Sequence, residues 1–269
     1  MEIHPTAIVA KEAVLGEDVR IGPYSIIGPK VKIGARTRIH AHVVIDGDTT
    51  IGEDCQIFPG AILGMQPQDH KEKGEGGKLI IGNRNKIREF VTIHPGTEKG
   101  GGVTRIGDDN FFLISVHLGH DVTVGNQVVL SNLTSIAGHV EIQDKVTAGA
   151  MSAVHQFGRV GTMAMLGAGA MASRDVPPYG LVQGDRASLI GLNRVGLERR
   201  GVPQEVIHSL RKAFRILFFT EPPFELEELV KKVQREVPPC EEVNTLLEFV
   251  STSKRGVCLS RKPKLHSGE

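Results

Sequence analysis

The 269-residue sequence predicts a parallel β-helix of hexapeptide repeats followed by a small helical domain. Three observations carry this. An aliphatic residue recurs every sixth position from Ile3 to Leu63, the recurrence resumes after two polar interruptions, and beyond Pro178 the spacing changes to that of amphipathic helices. A period of six is neither the 3.6 of a helix nor the plain 2 of an isolated strand, so it belongs to a solenoid of short strands with regular corners. Three faces per coil make about 18 residues per turn, stacked at the ~4.8 Å spacing of hydrogen-bonded strands.

In chain order, Ile3, Val9, Leu15, Ile21, Ile27, Ile33, Ile39, Ile45, Ile51, Ile57 and Leu63 form the first column. Two places before most of these stands a small or β-branched residue, among them Val19, Ser25, Val31, Thr37, Val43, Thr49, Cys55 and Ala61, which predicts a second interior column. The polar stretch 64–80 reads as an inserted loop, after which Ile81, Ile87 and Ile93 resume. A second interruption, 94–105, holds Gly100, Gly101 and Gly102 and shifts the phase by one residue. The column then runs from Ile106 through Phe112, Leu118, Val124, Leu130 and Ile136 to Ala172. Helices are predicted over 203–219, 224–236 and 242–251, with Pro222-Pro223 and Pro238-Pro239 as breaks. The expected organisation is a β-helix over 1–188, a helical domain over 189–259 and a disordered tail over 260–269.

Lys+Arg 32 against Asp+Glu 31 leaves no global field for nucleic acid or an anionic membrane. No run approaches the ~18 apolar residues of a membrane span, and the N-terminus has no signal-peptide pattern. Cys55, Cys240 and Cys258 are odd in number and lack CxxC spacing, which fits a reducing, cytoplasmic compartment.

His94, His117, His120, His139 and His155 cluster in the second half of the repeat. Because residues 18 apart stack coil on coil, His120, Gly138 and Gln156 are expected on one line at the edge of the solenoid. Acyl transfer to an alcohol needs a general base and donors aimed at a developing oxyanion. A neutral imidazole and an unobstructed glycine amide suit those roles, so His120 and Gly138 are the candidates. Asp121 could polarise the imidazole, although neighbours in an extended strand point to opposite faces. No GxSxG elbow or neighbouring cysteine supplies a nucleophile, which favours direct transfer without a covalent intermediate or cofactor.

The segments Ile3-His4-Pro5-Thr6-Ala7, Gln68-Asp69, Val91-Thr92-Ile93-His94, His117-Leu118-Gly119-His120-Asp121, Ala137-Gly138-His139, Ala153-Val154-His155-Gln156-Phe157, Asp175-Val176-Pro177-Pro178-Tyr179 and Arg199-Arg200-Gly201 resemble the UDP-N-acetylglucosamine O-acyltransferases of lipid A biosynthesis. The resemblance implies a left-handed β-helix, a homotrimer with sites between subunits, and transfer of a 3-hydroxyacyl group from acyl carrier protein to the sugar. By resemblance His120 is the base, Asp121 its support and Gly138 the oxyanion donor. Lys71, His117, His139 and His155 contribute to substrate or carrier binding, while Asp69, Gln156, Asn193, Arg199 and Arg200 hold the UDP-sugar. Two adjacent arginines suit a pyrophosphate. Val195 departs from the glutamate many relatives carry.

Ala168 stands at the position that resembles the floor of the acyl groove. It lies about 2.7 coils from His120, roughly 13 Å along the axis, which an extended chain of roughly ten to fourteen carbons spans. Arg199, Arg200, Arg211, Lys212, Arg215, Lys254 and Arg255 are expected to gather positive charge for an acidic carrier protein. Three other readings of the repeat are an N-acyltransferase, a γ-type carbonic anhydrase with a histidine-bound metal, and a structural scaffold. No metal is expected, because His117 and His120 are an odd number of residues apart in a strand. The acyl length, and whether the acceptor is a hydroxyl or an amine, stay open.

Overall fold

The computed structural model describes residues 1–71, 74, 76–220 and 225–260. Short strands, mostly of two residues and joined by tight corners, run from Glu2–Ile3 to Met171–Ala172. They stack into three sheets. Face A begins with Glu2–Ile3, face B with Ile8–Val9 and face C with Val14–Leu15. Ile3 pairs in parallel with Ile21 and Ile21 with Ile39, so one coil takes the expected 18 residues.

The aliphatic columns are the core. Ile27, Ile57, Leu63, Phe112, Leu118 and Leu130 are all buried, and each such side chain contributes about 1.5–3 kcal/mol relative to exposure. Polar members of the second column are satisfied in place. The Ser25 hydroxyl donates to His40 O and accepts from Val43 N, and Thr37 does the same with Gly52 O and Cys55 N. Ile3, in the first coil of the stack, is 40% exposed.

The glycines that follow column residues answer to crowding between coils. A methyl group at Gly34 would lie 2.6 Å from the Gly52 carbonyl carbon. Left-handed backbone falls instead on the third corner residue, where non-glycine side chains such as Arg36 (φ 60°) and Asp54 (φ 56°) stand. Each costs about 1–2 kcal/mol. Cross-coil bonds such as Arg36 Nε to Asp54 Oδ1 at 2.8 Å accompany these corners.

Both inserted loops leave the solenoid at the B–C edge. The first runs from Leu63 on face B to Lys78 on face C, and the second from Ile93 on face B to Val103 on face C. Across them the stacked partners stand 30 and then 25 residues apart, as for Glu53 with Asn83 and Thr92 with His117. The excursions are shorter than the composition indicated. Leu79 and Ile80 belong to the strand Lys78–Ile81, and Thr104 and Arg105 to Val103–Ile106.

Face A continues past the hexapeptides through Gly180–Gln183 and the antiparallel Ser188–Leu192, so β structure runs through the expected boundary at 188. The helices are α1 (Arg194–Arg199), α2 (Gln204–Phe218), α3 (Leu226–Glu236) and α4 (Glu241–Ser251). On α2 the 3–4 spacing of Ile207, Leu210, Phe214 and Leu217 faces the core. Asp175 ties this domain to the solenoid, accepting from Arg159 N, Arg159 Nε and Ser253 Oγ, while Arg159 Nη2 donates to Phe249 O. The predicted break at Pro222-Pro223 and the tail beyond Ser260 lie outside the described residues.

Candidate active site

The B–C edge below the two loops is built by the corners 119–122, 137–140 and 155–158. Second-position residues His120, Gly138 and Gln156 make one line along it. Third-position residues Asp121, His139 and Phe157, at φ 58°, 59° and 63°, make another. The opposite-face alternation of neighbours in an extended strand does not apply at this φ. Asp121 is a left-handed corner residue, not an extended one, and its carboxylate folds back so that His120 Nδ1 and Asp121 Oδ2 are 2.8 Å apart. An ionised carboxylate only accepts, so in the neutral ring this contact selects the tautomer with the proton on Nδ1 and the lone pair on Nε2.

Asp121 is almost wholly enclosed, its side chain 3% exposed. It also accepts from Thr97 N at 3.0 Å and Thr97 Oγ1 at 2.7 Å, and His139 Nε2 lies 3.7 Å away. His139 stacks on Phe157 with centroids 4.5 Å apart and meets the His120 ring edge-on at 5.0 Å. The other side of His120 rests on Gly138, where an added methyl would lie 2.6 Å from Nε2. The Gly138 N–H has no hydrogen-bond acceptor among the described residues. A lone pair and a free amide donor thus stand side by side, the pairing that base-assisted acyl transfer requires.

The loops bring further groups to this edge. On the first, the Asp69 carboxylate accepts from Lys71 N at 2.9 Å. That bond, with smaller help from the charges of His120, Lys71 and His70, holds its pKa below the usual value. His117, on face B, has Nδ1 2.8 Å from Thr92 Oγ1. Burial pushes its pKa down, and His94 adds to this. His94 reaches Gln66 O at 2.9 Å and Met65 O at 3.2 Å, pinning the start of the first loop. His155 is exposed, with Nδ1 3.2 Å from Arg255 Nη2.

Other predicted residues lie elsewhere on the chain. Asn193 caps α1 through Gly196 N and donates to Met163 O at 3.0 Å, and Arg200 Nη2 donates to Lys145 O at 3.2 Å. Met163 and Lys145 are corner residues of the C–A edge, so Asn193 and Arg200, with Arg199 beside it at the end of α1, belong to that edge. Ala168 is exposed at the A–B edge. One chain therefore distributes His120, the two arginines and Ala168 over three different edges. A line from His120 to Ala168 on one chain crosses face B as well as running the roughly 13 Å along the axis. Of the basic residues expected to gather, Arg211 and Arg215 line a cleft of about 840 Å³ beside α2, and Arg255 sits at the B–C edge.

Thr97 was not singled out from the sequence, whereas His94 belonged to the histidine cluster and Phe157 to a segment that carries the resemblance, without either being given a role. A signal was available for the loops: counting faces from Ile3 puts Leu63, Ile93 and Leu118 all on face B, so both interruptions and His120 must share one edge. Among the described residues, His120, Asp121 and His139 are the only group whose ligand atoms, all within 4.8 Å of one another, could hold a metal. His117 is not part of it, and Asp121 Oδ2 already faces Thr97 Oγ1 and His120 Nδ1 at hydrogen-bond distance.

Residues 175–258 match the family model described as UDP N-acetylglucosamine O-acyltransferase, domain 2, and residues 12–47 match the bacterial transferase hexapeptide repeat. A relative from Thermodesulfovibrio yellowstonii, named an acyl-(acyl-carrier-protein)–UDP-N-acetylglucosamine O-acyltransferase, is 48% identical over 257 residues, 96% of this chain and 99% of the relative. The solved UDP-N-acetylglucosamine acyltransferase from Campylobacter jejuni superposes with a TM-score of 0.90 at 37% identity, over 97% of this chain and 100% of that one. Its counterpart from Bacteroides fragilis gives 0.91 at 37% identity, over 94% and 98%. With these likenesses the solenoid is a left-handed parallel β-helix. None of the helices among the described residues is long and apolar enough to cross a membrane.

Proposed function

The chain belongs to the UDP-N-acetylglucosamine O-acyltransferase family, and on that premise we propose that it transfers a 3-hydroxyacyl group from acyl carrier protein to the 3-hydroxyl of the sugar in UDP-N-acetylglucosamine, the first step of lipid A biosynthesis. His120 Nε2 takes the hydroxyl proton as the sugar oxygen attacks the thioester carbon. The oxyanion of the tetrahedral intermediate is held by the Gly138 N–H. Its collapse breaks the C–S bond, and the thiolate recovers the proton from His120. Asp121 holds the productive tautomer and stabilises the transient imidazolium. No cofactor enters this scheme.

The observation that carries the reading is the juxtaposition of an Asp121-tethered imidazole with the unoccupied Gly138 amide. Lys71, His117, His139 and His155 line the same edge for the acyl donor and acceptor, with Asp69 and Gln156 toward the sugar. Asn193, Arg199 and Arg200 would meet the pyrophosphate from the C–A edge of a second protomer. A homotrimer is further supported by the A–B edge, where Tyr24, Phe90, Leu133 and Met151, each at the same left-handed corner position, are 59%, 63%, 53% and 60% exposed. Single large apolar side chains on a surface are ordinary, whereas several along one edge, here with His42, Gly60 and Ser115 between them, suit an interface. The reading carries a cytoplasmic location, which suits three free cysteines.

The test is the product. Mass spectrometry of reactions with a panel of acyl carrier protein thioesters and UDP-sugars should give UDP-3-O-(3-hydroxyacyl)-N-acetylglucosamine. His120→Ala should lose about 10²–10⁴ in kcat while still binding the UDP-sugar. An unacylated UDP-sugar in every reaction would sink the assignment.

A further inference from the structure

We propose that Thr97 is a positioning residue for this base: its amide and hydroxyl hold the Asp121 carboxylate against His120 Nδ1, and the second inserted loop is the device that brings it there. The inference rests on reading His120 as the general base.

Asp121 has three donors within 3.0 Å, and two of them belong to Thr97. The amide reaches Oδ1 at 3.0 Å and the hydroxyl reaches Oδ2 at 2.7 Å, beside His120 Nδ1 at 2.8 Å. Thr97 lies 24 residues before Asp121, outside the 18-residue stacking of the regular coils. Every polar group of Thr97 is engaged, since its carbonyl accepts from Gly100 N at 3.1 Å and Gly102 N at 2.9 Å. Both Thr97 and the Asp121 side chain are 3% exposed.

The loop backbone closes over the carboxylate. A methyl at Gly100 would lie 2.2 Å from Asp121 Oδ2 and 2.5 Å from His139 Cε1, so glycine is required for this approach. The two loops are bonded to each other, Gly77 N to Gly96 O at 2.6 Å and Gly96 N to Lys78 O at 3.2 Å. A carboxylate on a bare corner would be solvated and free to turn. Enclosed and doubly bonded, it presents Oδ2 to the imidazole continuously, and in a water-poor site that hydrogen bond is stronger. Partners that orient a functional imidazole typically matter by about 10–100-fold.

Steady-state kinetics of Thr97→Val and Thr97→Ser, with acyl carrier protein thioester and UDP-N-acetylglucosamine, test this. Valine keeps the shape and the amide but loses the hydroxyl, so kcat should fall about 10–100-fold with both KM values within about twofold. Serine should restore kcat to within about threefold of the parent. Parental kcat in Thr97→Val, or a serine variant as impaired as the valine one, overturns the proposal, the latter because the methyl would then be what matters. Thr97→Ala carries the same expectation should the valine variant not fold. A His120→Ala variant retaining more than about a tenth of kcat would remove the base itself and Thr97's role with it. Loss in His120→Ala beside an indifferent Thr97→Val removes the positioning role alone.

Discussion

The imidazole of His120 rests on the backbone of Gly138 so closely that a methyl group there would come within 2.6 Å of both Nε2 and Cε1. The nearest obstacle to that methyl is the movable end of a side chain, and Gly138 is not among the residues of positive φ. Gly138→Ala should therefore leave thermal unfolding nearly unchanged while swinging the His120 imidazole out of line. We expect kcat to fall about 10²–10³-fold. The double variant with His120→Ala should be no slower than His120→Ala alone, since the clash disappears with the ring. A Gly138→Ala enzyme with parental kcat would dissociate the two residues.

His117 links pH to stability. Burial lowers its folded pKa below the unfolded 6.5, with His94 adding to the effect, so the unfolded chain binds more protons between the two values. The stabilisation is therefore complete above about 6.5 and is lost as pH falls from there towards the depressed folded value. Melting temperatures between pH 7.5 and 5 should fall more steeply for the parent than for His117→Gln. Parallel profiles would show that His117 titrates alike in both states.

His120 and the Arg199-Arg200 pair stand on different edges of one chain, and with the proposed trimer this sets up a complementation test. Trimers of His120→Ala alone, or of Arg199→Ala/Arg200→Ala alone, should be nearly inactive. Chains mixed after dissociation should regain about a quarter of parental activity, since a random interface joins an intact His120 to an intact arginine pair about one time in four. No recovery in mixed trimers verified by mass would place both groups in one protomer's site.

The columns made the fold legible: eleven aliphatic residues at one spacing leave little choice of register, and the 18-residue coil put His120, Gly138 and Gln156 in line. What the sequence hid was local backbone. Whether Asp121 turns towards or away from His120 depends on a left-handed φ that no glycine announces, because these corners use Asp, His and Phe there. Thr97 was hidden for another reason. It lies in an aperiodic loop, where spacing carries no information about what a hydroxyl will touch.

If Ala168 is the floor of an acyl groove, as proposed, the groove involves face B. Ala168 lies at the A–B edge and His120 at the B–C edge, so a tail running between them on this chain must cross face B as well as descend it. The outward residues along that diagonal are Ser135 and Ala153, both small, followed by Met171. Covered by a second protomer, they would form the wall of a groove longer than the roughly 13 Å axial separation. With Ala168 as the proposed floor, its methyl should penalise the longest tail by about 1–3 kcal/mol, or about 10–200-fold in kcat/KM. Ala168→Gly should therefore lengthen the preferred 3-hydroxyacyl chain and Ala168→Met shorten it. Ala153→Leu, placed midway across the face, should shorten it further, because it blocks the path before the floor is reached. Chain-length profiles over a thioester panel decide between routes. A shift in the Ala168 variants with none in Ala153→Leu would take the tail off face B, and unchanged profiles in all three would take the ruler away from Ala168.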